Sequence, residues 1–376
     1  MQSFNTVFPS NGNGTVPLKD SGVIQIMSDG TYVFLAVFLF SVFVFGAILN
    51  GAVIYVFCTL KSVKMDANYC ILALCVCGFM ISTLGVPFAA ASSLAHKWLF
   101  GKLGCSIHAA IFTALGITMI ALLTLIAVDR YCFIVKYSTI HKLTNRTMSC
   151  LIVACFMYGS LWGTFPLVGW SSYTTERGNI SCSVDWEDRH ISSLSYCISL
   201  MIAGLILPVI VISYVYAQVV HLLHKRRSTS QRLSLRGSSQ RRKAIRRETR
   251  VARTIFLMIG AFILSWFPYA IFSTVALIGY QSSIPAVVQT LPSVFAKSSV
   301  LWNPLIYAMR NRSLRKGLVA TFPCLHFIKR QRAQLHRTPV TQLSLQSRPN
   351  NEGSDGTDLL NQLSGEFSPT RALTVL

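Results

Sequence analysis

One ammonium-bearing side chain, Lys297, stands inside the apolar run "FAKSSVLWNPLIY", residues 295–307. A lysine at the centre of a membrane helix costs about 2.5–3.5 kcal/mol on insertion scales, so a chain that keeps one there must offset the cost or use it. Dry surroundings favour the neutral form of an amine, and a neutral amine condenses with an aldehyde to an imine. A protonated imine needs an anion; an unprotonated one does not. A second reactive set lies in "AVDRY", with Asp129, Arg130 and Tyr131, and in "RRETR", with Glu248. An arginine flanked by one acid and facing another can be held by ion pairs that break when helices separate, which biases a two-state element. Taken alone, the same arginine could simply snorkel to lipid headgroups.

These residues need a scaffold, and composition names its class. Of 376 residues, 52% are hydrophobic and only 12% charged, a balance that fits a polytopic membrane protein. Seven stretches are apolar over about 20 residues, the length that crosses a bilayer. They run over 32–58, 69–93, 105–133, 148–170, 194–222, 252–279 and 286–309, and no alternating ten-residue pattern suggests a barrel. The prediction is an all-α membrane protein: an N-terminal segment 1–31, a seven-transmembrane helix bundle over 32–310, a short cytoplasmic amphipathic helix at 311–322 and a disordered tail over 323–376.

The net charge of +21 is unevenly placed. Residues 225–250 hold eleven Lys/Arg against one acid, Glu248, and further cations follow the seventh span in "RNRSLRK" and "IKRQR". The opposite loops are acidic or mixed, as in "CSVDWEDRH". The positive-inside rule then places the 223–250 loop and the C-terminus in the cytosol and the N-terminus outside, as in a multi-pass protein of the plasma membrane. Because the cations flank spans, they point to membrane lipid and not to nucleic acid. "MQSFNTVFPSNGNGTV" has no basic region followed by an apolar one, so no cleaved signal is expected and the first span serves for insertion.

Of eleven cysteines, only Cys105 and Cys182 fall on the oxidising side, which predicts a disulfide between them. The sequons at Asn13 and Asn179 fall outside and could carry glycans; those at Asn145 and Asn311 match equally well but fall in the cytosol. Cys324, just beyond the amphipathic stretch, is either a palmitoylation site or a plain thiol. Ser and Thr residues of the tail could be phosphorylated, and its ending "TVL" could add as a strand to a partner groove.

Prolines punctuate the later spans: Pro208 in span five with Tyr216 two turns on, Pro268 in "SWFPY" and Pro304 in "NPLIY". Each removes a helix hydrogen bond, so spans five to seven can hinge near mid-membrane. With Asn50, Cys105, Asp129-Arg130-Tyr131, Cys182, Trp266, Pro268 and Asn303-Pro304-Tyr307 at matching order and spacing, residues 32–322 resemble the rhodopsin-like (class A) G-protein-coupled receptors. Lys297, six residues before Asn303, is similar to the retinal-attachment lysine of opsins. The resemblance implies retinal, 11-cis or all-trans, held by Lys297 as a Schiff base, with Trp266, Tyr269 and Phe112 lining the pocket. It also implies a heterotrimeric G protein as partner, reached through Asp129, Arg130, Tyr131, Tyr216, Glu248, Asn303, Pro304 and Tyr307, and arrestin and a receptor kinase at the tail.

For the anion, vertebrate visual opsins use a glutamate three residues after the first disulfide cysteine; here that position is His108, and an imidazole cannot balance an iminium. Glu176, six residues before Cys182, resembles the counterion of many bistable opsins, with a solvated loop acid as the plain alternative. His108 is either a proton partner that tunes the imine or a helix-face histidine holding a water. "HKWLFGKLGC", "SLWGTFPLVGW", "SCSVDW" and "SIPAVVQTLPSVFAKSS" resemble the neuropsin-like non-visual opsins, several of which couple to inhibitory G proteins. Two positions depart from the wider family: Gly78 stands where an Asp is usual in span two, and Phe156 where a Trp is usual in span four. The reading is a light-activated receptor and not an enzyme; the alternatives are a retinal photoisomerase without signalling and a receptor for free retinoid.

Overall fold

A computed structural model describes residues 27–59, 68–135, 144–232, 239–280 and 284–321. The chain divides into two units, Met1–Pro323 and Cys324–Leu376, and every described residue belongs to the first. Helices α1 (Asp29–Thr59), α2 (Asn68–Leu84), α3 (Val86–Leu94), α4 (Gly101–Val135) and α5 (Asn145–Thr164) come first. A hairpin follows, β1 (Tyr173–Thr175) and β2 (Cys182–Val184), then α6 (Ile191–Met201), α7 (Leu207–Arg232), α8 (Ser239–Ile278), α9 (Ala286–Lys297), α10 (Ser299–Arg310) and α11 (Arg312–Thr321). The helices α1 and α4 bury some apolar side chains and turn others outward. On α1, Leu35, Leu39 and Val42 are buried while Phe34, Val37, Phe40 and Ile48 are exposed, as a helix facing both a protein core and hydrocarbon requires.

Among the described residues, six helical runs are long and apolar enough to cross a membrane: Asp29–Thr59, Tyr69–Leu94, Gly101–Cys132, Arg146–Val168, Ile191–Leu222 and Thr249–Ile278. The seventh crossing is built differently. It is two shorter helices, α9 and α10, meeting at Ser298 directly after Lys297. There the backbone tightens, with Ser298 N–H donating to Phe295 O and Leu301 N–H to Ser298 O, both at 3.0 Å.

Prolines explain most of the irregularities. Pro87, at the start of α3, accompanies the break at Gly85 that splits the second crossing, an interruption the sequence reading did not anticipate. In the fifth crossing, Ile202–Ile206 forms a wider π-helical turn just before Pro208, with Leu207 N–H donating to Ile202 O. Pro304 cannot donate to Val300 O, four residues back. Asn50 on α1 supplies the missing donor: its Nδ2 lies 3.1 Å from Val300 O and 2.8 Å from Gly46 O. Pro268 is carried inside an otherwise continuous α8.

Between the fifth and sixth crossings the sequence predicts a basic loop over 223–250. Instead α7 runs to Arg232 and α8 begins at Ser239, so most of the segment is helix. Lys, Arg, Gln and Glu are good helix formers, and no proline interrupts them. On the other side of the bundle, Gly159 and Gly163 let α5 approach α4 closely: a Cβ on Gly163 would lie 2.7 Å from Ala110 O and 2.8 Å from Ala114 Cβ. The carbonyls ending α5, which have no intrahelical partner, accept hydroxyls from elsewhere, Trp162 O from Tyr196 at 2.7 Å and Gly163 O from Tyr173 at 2.9 Å.

Candidate functional site

The hairpin fixes the roof of the site. Tyr173 pairs with Val184 and Thr175 with Cys182, and Glu176 N–H donates to Ser181 O at 2.8 Å. Asn179, at φ 55°, closes the tip, its N–H donating to Glu176 O at 2.7 Å. Asn tolerates that left-handed conformation better than most residues. A disulfide joins Cys182 to Cys105 in the first turns of α4, Cα to Cα 5.4 Å. Glu176 is thereby placed at the end of a strand whose partner is covalently tied to the bundle.

Outside the spans the roof is further pinned. Arg177 donates to Glu187 through Nε at 3.0 Å and Nη2 at 2.6 Å, and that carboxylate raises the arginine's pKa. Asp188 accepts from Ser193 Oγ at 2.5 Å and from His190 N–H at 3.0 Å, bonds that hold its carboxyl below the usual range. Burial pushes the Tyr173 phenol up to about 12. Trp186 Nε1 donates to Tyr269 Oη at 3.0 Å, joining the loop after β2 to α8.

Below the roof is a largely apolar pocket walled by α4, the π-helical turn, α8 and α9, and lined by Phe112, Trp266, Tyr269 and Lys297. Lys297 is 7% exposed. Its Nζ donates to Ser293 Oγ at 2.7 Å, and Ser293 Oγ donates to Glu176 Oε1 at 2.8 Å. Glu176 Oε2 is buried with no partner among the described residues. The ring of Phe112 lies 5.0 Å from Lys297 Nζ, within cation–π range. Trp266 Nε1 donates to Ser299 Oγ at 3.1 Å, tying α8 to α10.

Four glycines or serines here had no signal strong enough to single them out. A Cβ on Gly85 would sit 2.7 Å from Phe112 Cζ, so the break between α2 and α3 gives that ring its place. A Cβ on Gly116 would lie 3.0 Å from Trp266 Cη2. Ser293 and Lys297 stand four apart on one helix and so share a face, a spacing that could have drawn attention to Ser293. Ser299 lies just past the break. His108 does not line the pocket. It is 3% exposed, its ring 4.7 Å from that of Phe112 and 5.0 Å from that of Trp98, and neither ring nitrogen has a partner among the described residues.

At the other end of α4, Arg130 Nε donates to Asp129 Oδ2 at 3.0 Å and Nη2 bonds the same oxygen. Tyr131 packs beside Val219 and Ala252. Tyr216 is buried against Phe256, and Tyr307 stacks on Phe57 and accepts from Asn311 Nδ2 at 2.6 Å. Asn303 is buried beside Pro304, its side-chain amide without a partner among the described residues. Glu248 lies on α8, but its side chain falls outside the described residues, as do Asn13, Cys324 and the tail.

Gly78 has a local reason. A Cβ there would meet the Asn50 carboxamide at 2.7 Å from Oδ1, 3.0 Å from Cγ and 3.1 Å from Nδ2. Asn50 cannot retreat without breaking its bonds to Gly46 O and Val300 O. Gly→Ala inside a helix normally gains about 0.8–1.0 kcal/mol, whereas overpacking costs about 1–3 kcal/mol. Overpacking wins, so Gly78→Ala is expected to lower the thermal midpoint of the detergent-solubilised protein; an equal or higher midpoint would show that the Asn50 amide moves freely.

The pattern of the family described as "7 transmembrane receptor (rhodopsin family)" matches residues 49–307. The chain belongs to that family. Melanopsin-B of Xenopus laevis is 33% identical over 291 residues, 76% of this chain, which spans only about half, 54%, of that relative. "Rhodopsin, G0-coupled" of Mizuhopecten yessoensis is 30% identical over 307 residues, 81% of this chain and 75% of its own length. The crystal structure of squid rhodopsin superposes with a TM-score of 0.75 at 28% identity, covering 80% of this chain and 87% of that one. This is an opsin-type G-protein-coupled receptor, a multi-pass membrane protein and not an enzyme.

Proposed function

We propose that this opsin is a light-activated receptor that binds retinal covalently through a Schiff base on Lys297 and activates a heterotrimeric G protein of the inhibitory class. One observation carries the reading: a buried primary amine, linked through one hydroxyl to a carboxylate, in the wall of a largely apolar pocket. The residues fit such a group. The missing Cβ of Gly116 leaves room for the Trp266 indole against α4, a Cβ on Gly204 would lie 2.5 Å from Ile117 Cδ1, and the unpartnered Oε2 of Glu176 has capacity for a further bond.

Retinal, when bound, supplies the photochemistry, an isomerisation that changes its shape. The protein's part is to hold, orient and respond. Lys297 anchors, Glu176 balances positive charge, the disulfide-tied hairpin excludes water, and Phe112, Trp266 and Tyr269 enclose. Trp266 is the natural transmitter, because moving its indole strains the bond to Ser299 and so couples α8, with Pro268, to α10, with Pro304. At the cytoplasmic end Arg130, held by Asp129, together with Tyr131, Tyr216, Glu248, Asn303 and Tyr307, forms the switch. Swinging a two-state equilibrium from 1:99 to 99:1 takes about 5.5 kcal/mol, far less than a photon delivers.

The four segments quoted above support placement with neuropsin-like opsins. The proposed layout keeps the N-terminus 1–31 outside the plasma membrane with glycans at Asn13 and Asn179, the core at 32–310, the amphipathic helix at 311–322 and a cytoplasmic tail 323–376, with Cys324 palmitoylated, for arrestin and receptor kinase. The test is an absorption spectrum after adding 11-cis and, separately, all-trans retinal, in darkness and under illumination, followed by light-dependent nucleotide exchange on a purified inhibitory G protein. A photosensitive band with exchange is expected. A band with efficient isomer release and no exchange would assign the protein to photoisomerisation instead.

A further inference from the structure

Glu176 and Lys297 do not bond each other. Among the described residues, the acceptor within reach of Lys297 Nζ is Ser293 Oγ, and the donor to the Glu176 side chain is the same hydroxyl. Ser293 is 4% exposed, and its place is set by α9, where it stands one turn before Lys297. A hydroxyl has one proton to give and lone pairs to receive. Here it receives from nitrogen and gives to carboxylate, the orientation in which the anion polarises the hydroxyl toward the cation. An amine converted to a protonated imine keeps a single N–H. It can therefore satisfy one acceptor, and the acceptor already placed is Ser293.

We infer that Ser293 is the positioning residue through which Glu176 acts on the nitrogen of Lys297: the counterion is a serine–glutamate pair and not a lone carboxylate. The inference rests on the retinal reading and deepens it. The other titratable side chains around the pair are His108 on α4, its ring 4.7 Å from that of Phe112, and Tyr269 on α8, whose hydroxyl already accepts from Trp186. The hydroxyl of Ser181, in the loop between β1 and β2, is fully buried and bonds neither Glu176 nor Lys297 among the described residues.

The experiment is a pH titration of long-wavelength absorption in retinal-reconstituted full-length protein, comparing the parent with Ser293→Ala, Ser293→Thr, Glu176→Gln and the Ser293→Ala/Glu176→Gln pair. In Ser293→Ala, long-wavelength absorption is expected to give way to near-ultraviolet absorption at a pH at least about one unit lower, a tenfold change in proton affinity. Ser293→Thr, which keeps the hydroxyl, restores the parental titration. The double variant moves no further than Glu176→Gln alone, because two residues acting as one unit are not additive. Resonance Raman supplies a second readout: the shift of the C=N stretch on deuteration, which reports the hydrogen bond at nitrogen, shrinks in Ser293→Ala. A Ser293→Ala pigment with the parental titration and deuterium shift, or a double variant whose effects sum, overturns the inference while leaving the retinal reading intact. A parent that forms no pigment overturns both.

Discussion

Incubated with 11-cis or all-trans retinal, Lys297→Ala protein is expected to show no absorption band beyond those of protein aromatics and free retinal, in darkness or light. Lys297→Arg should behave likewise, since a guanidinium keeps its proton and is no nucleophile. The effect is all-or-none because one bond is removed and no second amine is at hand: Lys297 is the lysine among the residues lining the pocket. Borohydride reduction of the parent should leave the chromophore on the peptide containing Lys297, and surface expression of each variant serves as the folding control. A coloured, photosensitive Lys297→Ala protein would falsify the covalent reading; an untrappable but light-responsive parent would favour a receptor for free retinoid.

The second large effect falls on Glu176. In Glu176→Gln, long-wavelength absorption is expected to disappear at a pH more than about one unit below the parental value, each unit corresponding to 1.36 kcal/mol of differential interaction. The sign follows from charge. An anion favours the protonated form of a neighbouring base, so removing the anion lets the proton leave at lower pH. The magnitude follows from burial, because a charge pair away from water is screened far less than one at the surface. A Gln keeps the size of the side chain and a hydrogen-bond acceptor for Ser293, so packing is not what changes. His108→Ala tests the competing idea that the imidazole carries the effect. It is expected to leave the titration close to parental, since among the described residues neither ring nitrogen of His108 bonds the amine or Glu176. An unshifted Glu176→Gln titration would remove Glu176 from the role.

Much of the architecture could be read from residue types. The crossings appear as apolar runs, and the disulfide follows because only Cys105 and Cys182 lie on the outer side of them. Lys297 is conspicuous because it is dear to bury. Other features were hidden. The basic segment after span five looks like a loop when read by charge, yet Lys, Arg, Gln and Glu are good helix formers and no proline breaks the run. The seventh span looks like one helix, yet it parts at Ser298.

The sequence by itself determined how many times the chain crosses the membrane, which two cysteines join, and that an amine lies buried. Only the tertiary structure decided what that amine touches. In helices apolar on every side, periodicity cannot separate the face toward lipid from the face toward a neighbour, so Ser293 is one of many serines until α9 is turned against the hairpin. The same holds for Asn50, whose bond to Val300 O makes good the donor that Pro304 lacks, and for Gly85, whose missing Cβ makes room for Phe112. Each depends on an atom brought close by packing across long stretches of chain, and local residue types do not encode that distance.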